Sequence, residues 1–81
     1  MNKLVQSVEV FEAAASLEDA IVTELKDALA SLRVGAGLKA QLAPGTSLRV
    51  KRFTRRLNRA LEPSRFTARQ RGDSLYVERI G

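Results

Sequence analysis

The sequence predicts a small α+β domain with the element order α-β-α-β-β. Three observations lead to this prediction. Apolar residues recur at helical spacing in the N-terminal third and again over residues 48–61, a short alternating segment lies between these stretches, and two β-prone runs flank Gly72-Asp73. The 81 residues fit one domain, with an acidic helical part, residues 1–33, and a basic strand-helix-hairpin part, residues 38–81.

The N-terminal third is rich in strong helix formers, and its pattern allows three interpretations. Ser16 followed by Asp19 can form a capping box that starts a helix there. A heptad seam with Glu18 as its one violation favours a single long helix from about residue 3 to 33, kinked near Ser16. The third interpretation makes residues 5–11 a strand. We predict the long N-terminal helix.

Two shorter elements follow. Residues 38–42 alternate apolar and polar side chains, as expected for a half-buried strand. Thr46 or Ser47 is expected to cap a basic helix from Leu48 to Leu61, which Pro63 stops. Four apolar side chains form one stripe on this helix, namely Val50, Phe53, Leu57 and Leu61. We expect this stripe to pack on a small sheet.

The chain ends in a predicted β-hairpin, with strands at residues 65–71 and 74–80 around Gly72-Asp73. A two-residue turn there pairs Arg71 with Ser74 and Arg69 with Tyr76. Alternation then places four apolar side chains on one face, namely Phe66, Ala68, Leu75 and Val77. The opposite face carries Arg65, Thr67, Arg69, Arg71, Tyr76, Glu78 and Ile80.

Composition excludes several classes of function. The chain has neither Cys nor His, so it lacks disulfides, thiolate metal sites and the commonest general base. The carboxylate pairs Glu9 with Glu12 and Glu18 with Asp19 are expected to be solvated. We therefore predict a protein that is not an enzyme and holds no metal or cofactor. No apolar stretch is long enough for a membrane, and the N-terminus does not read as a signal peptide, so a cytoplasmic location in a bacterial or infected host cell is expected.

Charge is divided unevenly along the chain. Residues 1–33 carry three cations and six carboxylates, whereas residues 34–81 carry eleven cations and three carboxylates. Such an asymmetry suggests that the two parts have different roles, the basic part being the one that meets an anionic partner.

The basic helix carries the strongest functional signal. Six of its eight polar positions are cationic and none is acidic, the eight being Arg49, Lys51, Arg52, Thr54, Arg55, Arg56, Asn58 and Arg59. Like charges at helical spacing repel, and phosphate groups would relieve that repulsion. We interpret this face as a nucleic-acid-binding surface, with Arg55, Asn58 and Arg59 as candidates for base-edge contacts. An acidic protein partner or a plain solvated face are the alternatives.

The hairpin carries the second signal, in Arg65, Arg69, Arg71 and Tyr76. A basic strand pair with one exposed aromatic residue can lie in a groove or stack on a base, and the turn can reach a minor groove as a wing does. We expect it to form one basic surface with the helix. The alternative is that Tyr76 simply packs on the stem of Arg69, while Glu78 pairs with a neighbouring arginine.

The heptad seam suggests a homodimer. In this interpretation Leu4, Val8 and Phe11 meet a partner subunit, while the segment from Leu17 to Leu32 packs against the protein's own sheet. The alternative is that the whole apolar face belongs to the core of a single chain, because a chain this short needs core.

The strand at 38–42, the basic helix and the hairpin resemble the second half of a winged helix-turn-helix. The tight helix-turn-helix is missing, because the strand and Pro44-Gly45 occupy its place. The element order is also similar to that of Alba-type two-layer chromatin proteins, without a motif that matches residue by residue, so no family is assigned. A helix followed by a wing favours DNA over RNA. We predict a small non-enzymatic nucleic-acid-binding protein, for example in transcription regulation; the alternative is a small phage-type inhibitor whose basic face docks on an acidic host protein.

Overall fold

The structure, a computed structural model, describes residues 4–8 and 16–81. It contains α1 (Leu17–Ala30), β1 (Gly37–Gln41), α2 (Val50–Ala60), β2 (Phe66–Arg71) and β3 (Ser74–Arg79). The predicted α+β class and the order α-β-α-β-β are confirmed. None of the helices among these residues is long and apolar enough to cross a membrane.

The long helix from residue 3 to 33 is wrong. Residues 5–8 form no helix, and α1 begins at Leu17 after Ser16, whose side-chain oxygen accepts a hydrogen bond from the Asp19 backbone N–H at 3.2 Å. This contact satisfies one of the free N–H groups of the first turn, which allows the helix to start there. The alternative start at Ser16 is therefore the correct one.

The predicted homodimer contacts remain a prediction. Leu4 and Val8 lie outside any helix with 96% and 80% of their surface exposed. Phe11 lies outside the described residues, as do Glu9 and Glu12.

The sheet has three antiparallel strands in the order β1-β3-β2, so β3 is central. The predicted hairpin register is confirmed, since Arg71 pairs with Ser74 and Arg69 with Tyr76. Gly72 has φ 56° at the first position of the two-residue turn, a conformation that side chains rarely adopt. The identity of the turn therefore fixes which residues of the hairpin share a face.

The two helices and one face of the sheet share a single core. Phe53 and Leu57 of α2 lie in the same core as Phe66, Leu75 and Val77 of the hairpin, and α1 adds Ile21, Val22 and Leu29. Each of these side chains is buried. The predicted α2 stripe and the predicted apolar face of the hairpin are thus confirmed at five positions, whereas Val50, Leu61 and Ala68 are half-buried. The core therefore forms between a helical layer and the sheet.

Two details of the helices differ from expectation. Glu18 is 5% exposed and lies on the buried side of α1, so its predicted solvation is wrong. It is one turn before Ile21 and Val22, and a carboxylate is favoured in the first turn by the helix dipole. Neither Thr46 nor Ser47 caps α2. The N-cap is Arg49, which makes no side-chain capping hydrogen bond, and the Thr46 hydroxyl donates instead to the Ala43 carbonyl at 2.7 Å.

The segment before α2 contains no helix between residues 42 and 49. The order strand, helix, hairpin that resembles a winged helix-turn-helix is therefore present, whereas the helix that would precede a recognition helix is not.

Candidate nucleic-acid interface

The polar side of α2 forms a continuous cationic surface. Six side chains line one shallow groove along the helix, namely Arg49, Lys51, Arg52, Arg55, Arg56 and Arg59. At about 100° per residue they span about 160° of the helix circumference, opposite to the buried stripe. We call these six residues the α2 cationic face. They point away from the sheet because Phe53 and Leu57 point toward it.

Almost none of this charge is neutralised within the described part of the chain. One ion pair is formed there, between Arg56 Nε and Asp19 Oδ1 at 3.5 Å, and both side chains are about two-fifths exposed, at 41% and 38%. The other carboxylates of α1 outside the core, Glu24 and Asp27, are exposed and make no ion pair with described residues. Among the described residues, the carboxylates of α1 therefore pair with one of the six cations.

The backbone of α2 adds to the positive potential. The first turn lacks a side-chain cap, so its backbone N–H groups remain free. These N–H groups and the positive end of the helix dipole lie beside Arg49, Lys51 and Arg52. Free N–H groups at a helix start and cations around it both favour an anion at the same place.

Asn58 has a structural role that the sequence did not indicate. Its side-chain oxygen accepts a hydrogen bond from the Phe66 N–H at 2.7 Å, and its Nδ2 donates to the Phe66 carbonyl at 3.4 Å. Both halves of the amide are thus used to fix α2 against the start of β2. Asn58 is half-buried and does not present a free amide to a base edge.

The opposite side of the sheet is open, and most of its residues from all three strands are polar. They form three rows across the strands, in the order β1, β3, β2. The rows are Gly37–Glu78–Thr67, Lys39–Tyr76–Arg69 and Gln41–Ser74–Arg71. We call these nine residues the outer sheet face. Its alternation with the buried residues agrees with the predicted faces of the hairpin.

The middle row places one aromatic ring between two cations. Arg69 Cζ lies 5.4 Å from the centroid of the Tyr76 ring, and Lys39 Nζ lies 5.7 Å from it. Both distances are in the range of cation–π contacts. The contact of Tyr76 with Arg69 is the one that the alternative interpretation of the hairpin predicted. The ion pair of Glu78 that this alternative also predicted is not found among the described residues.

Lys39 was missed as a candidate in the sequence. Its alternation with Leu38 and Ala40 places it on the polar side of β1, but its approach to Tyr76 depends on β1 pairing with β3. Nothing in the local pattern of β1 specifies that neighbour.

The hairpin turn is held against the loop before α2 by hydrogen bonds of Asp73 and Gln70, while Arg71 and Gly72 at its tip are exposed. The Asp73 carbonyl accepts from the Leu42 N–H at 2.7 Å, and its carboxylate accepts from the Gly45 N–H at 3.2 Å. Gln70 accepts from the Leu48 N–H at 3.0 Å and donates to the Thr46 carbonyl at 2.8 Å. The predicted contact of this turn with a minor groove stays a prediction.

The two basic regions do not form one surface. The α2 cationic face lies on the outside of the helical layer, whereas Arg69, Arg71 and Tyr76 lie on the far side of the sheet. Arg65 is exposed and precedes β2 on the side of Thr67 and Arg69. The buried core separates the two regions, so the predicted single surface is wrong, and each region must be considered by itself.

Comparisons with protein-family models, with curated proteins and with solved structures find no match for this chain. Its function is therefore argued from its own residues.

Proposed function

We propose that this protein is a non-enzymatic nucleic-acid-binding protein and that the α2 cationic face is its binding surface. One observation carries the proposal: six cations line one groove on a folded helix, and within the described part of the chain only Arg56 has a carboxylate partner. Each pair of like charges one helical turn apart costs about 0.2–0.5 kcal/mol. An anionic polymer bound in the groove would offset that cost at several positions at once.

Phosphate is the chemical group that fits this surface best. Five of the six cations are arginines, whose planar guanidinium groups form paired hydrogen bonds with phosphate oxygens. Each phosphate that they neutralise also releases condensed counterions, which adds to affinity at low salt. Such contacts are independent of base sequence, so we expect binding with little sequence preference.

The dimensions of α2 are compatible with a groove of a double helix. Its 11 residues span about 16 Å, and a B-form major groove is about 12 Å wide. The middle of the arc is occupied by Arg52, Arg55 and Arg59, which would point to the floor of such a groove, while Arg49 and Lys51 would reach its phosphate walls. Double-stranded DNA is therefore the preferred ligand, since the deep major groove of A-form RNA is too narrow for side chains to read.

An acidic protein partner is the second candidate, and the contact between Asp19 and Arg56 favours it. This ion pair shows that a carboxylate on a helix packed beside α2 can approach the edge of the cationic face. A partner with a more acidic helix would use the same geometry at the remaining cations.

Fluorescence anisotropy with short mixed-sequence duplexes of DNA and of RNA tests the proposal. The double substitution Arg55→Glu and Arg59→Glu removes two charge-assisted contacts, and we expect the affinity for duplex DNA to fall by about 100-fold or more. A matched control, Arg69→Glu with Arg71→Glu, makes the same change in net charge on the outer sheet face.

We expect this control to change duplex affinity by less than about threefold, since charges beyond a Debye length are largely screened at physiological salt. All four positions are exposed, so we expect both variants to remain folded, which a urea unfolding curve of each variant checks. Absence of binding to either duplex at low salt would exclude the α2 cationic face as a nucleic-acid surface and favour the acidic partner. Equal losses in the two variants would contradict the assignment to α2.

A further inference from the structure

We infer that the outer sheet face is a second, separate nucleic-acid site, which binds an unpaired nucleobase on Tyr76 and its flanking phosphates on Lys39 and Arg69. The inference goes beyond the proposed role of α2 and does not depend on it, because the two surfaces lie on opposite sides of the core.

The arrangement of the middle row is the first support. Tyr76 is on the central strand, and its ring has an ammonium group 5.7 Å from its centroid on the β1 side and a guanidinium group 5.4 Å away on the β2 side. Neither cation forms an ion pair with a described residue. Tyr76 is half-buried, so part of its side chain remains accessible.

Ligand exchange on the ring is favourable. A cation–π contact at an exposed site corresponds to about 2- to 5-fold in an equilibrium constant, whereas stacking of one base on an aromatic side chain corresponds to about 5- to 150-fold. An unpaired base can therefore replace one of the two cations on the ring. The displaced cation can then bind the phosphate next to that base, so a contact with phosphate replaces its contact with the ring.

The rest of the outer sheet face favours a polyanion that continues along β2. Arg71 lies in the next row, and Arg65 precedes β2 on the same side, so cations lie before and after Arg69 along one strand. The single carboxylate of the face, Glu78, is in the row on the other side of Tyr76. A shallow depression over these rows is lined by Lys39, Thr67, Arg69, Tyr76 and Glu78 among others, which leaves room for a base.

A paired base cannot use this site, because both faces of a base within a duplex are already stacked on its neighbours. We therefore assign the site to single-stranded nucleic acid. With one aromatic residue and two adjacent cations it should bind short oligonucleotides weakly and with little preference among bases.

The chain contains its own reporter for the test. Tyr76 is the one tyrosine and there is no tryptophan, so intrinsic tyrosine fluorescence reports on this residue alone. The titration uses the full-length Arg55→Glu/Arg59→Glu variant, in which the α2 cationic face is impaired, so that failure of either proposal can be recognised separately. Oligothymidylate should quench the emission to saturation, with a free tyrosine amide titrated in parallel to correct for absorption by the bases.

Three further ligands distinguish the possible occupants. An abasic oligomer with the same number of phosphates, a duplex of equal length and oligoglutamate should each leave the emission unchanged or change it much less. Equal quenching by the abasic oligomer would replace base stacking with a simple phosphate site. Equal quenching by oligoglutamate would indicate an acidic peptide, and either result, like the absence of quenching by oligothymidylate, would overturn the inference.

Substitutions at Tyr76 give an independent measurement with labelled oligothymidylate. In the same background, Tyr76→Leu should lower affinity by about 5- to 150-fold, because it removes the stacking ring. Tyr76→Phe is the matched control, since it keeps the ring and removes only the hydroxyl, and it should remain within about threefold of the parent. Unchanged affinity in Tyr76→Leu would contradict the site. If that variant does not fold, the fluorescence titration of the unsubstituted tyrosine still decides.

Discussion

The α2 cationic face and the outer sheet face are both basic, but they hold their charge in different ways. On α2, six cations follow one another without an aromatic residue between them, and within the described residues a single carboxylate reaches them. On the sheet, Lys39 and Arg69 are separated by the ring of Tyr76, and Glu78 lies on the same face. Two surfaces of similar sign therefore differ in their arrangement, which is why we propose a different form of nucleic acid for each.

The physical reason lies in the geometry of the two elements. A helix places residues three and four apart beside each other, so a run of arginines becomes a dense arc of charge. A strand places every second residue on the same side and brings in neighbours from other strands at about 4.8 Å, so a mixed row of cation, ring and cation can form. The first arrangement suits the regular phosphates of a duplex, and the second suits an unpaired base.

Salt dependence should separate the two surfaces by the largest margin. If five cations of α2 each neutralise one phosphate of a DNA duplex, an increase in salt of about fourfold lowers affinity by about 500-fold. If Lys39 and Arg69 each neutralise one phosphate of a single strand, the same increase costs about sevenfold. Anisotropy titrations at several salt concentrations, with a duplex and with oligothymidylate, measure both slopes. Equal slopes would show that the two ligands use the same surface.

The next largest effect is expected on stability, from a substitution where α2 is bonded to the start of β2. Asn58→Ala removes both hydrogen bonds to Phe66 and leaves the Phe66 N–H without its partner, which should lower the free energy of unfolding by about 1–3 kcal/mol. Thr54→Ala is a matched control one turn earlier, because the Thr54 hydroxyl bonds only to Val50 within its own helix.

The control should change the free energy of unfolding by less than about 0.5 kcal/mol. The higher helix propensity of alanine offsets the loss of the hydrogen bond from the Thr54 hydroxyl. Urea unfolding curves of the two variants provide the comparison. A loss in Asn58→Ala no greater than in Thr54→Ala would show that these hydrogen bonds do not fix α2 on the sheet.

The smallest effect is expected where the protein's own carboxylate touches the α2 cationic face. Asp19→Asn releases Arg56 from an exposed ion pair worth about 0.2–1 kcal/mol, so duplex affinity should rise by about 1.5- to 5-fold. Asp27→Asn, at an exposed carboxylate of the same helix without an ion pair among described residues, is the control for net charge. If both variants bind equally tightly, the contact with Arg56 does not compete with the ligand.

Short sequence patterns correctly predicted two features that neighbouring residues determine: the register of the hairpin and the buried side of α2. The Gly72-Asp73 turn fixes the register of the hairpin, so the partners of Arg69 and Arg71 followed from the sequence. The helical period of Phe53 and Leu57 likewise fixed which side of α2 is buried and which side is basic. In both cases a few neighbouring residues contain the whole signal.

Features that depend on distant contacts could not be predicted in the same way. The position of Lys39 beside Tyr76 requires that β1 joins the sheet next to β3, and the use of Asn58 requires that β2 starts beside the end of α2. The start of α1 was ambiguous for another reason, since the heptad seam and the Ser16 cap gave conflicting signals for the same segment. The cap was the correct signal, because residues 5–8 do not continue the helix.

The uncapped start of α2 has a thermodynamic consequence. A segment of this length with adjacent like charges and no side-chain cap has little tendency to be helical in isolation, so its helical form is supplied by the domain through Phe53, Leu57 and Asn58. The density of charge on α2 therefore exists only while the domain is folded. A ligand with a higher affinity for this arc of charge than for the unfolded chain shifts the folding equilibrium toward the native state. Binding and thermal stability are therefore linked through the same 11 residues.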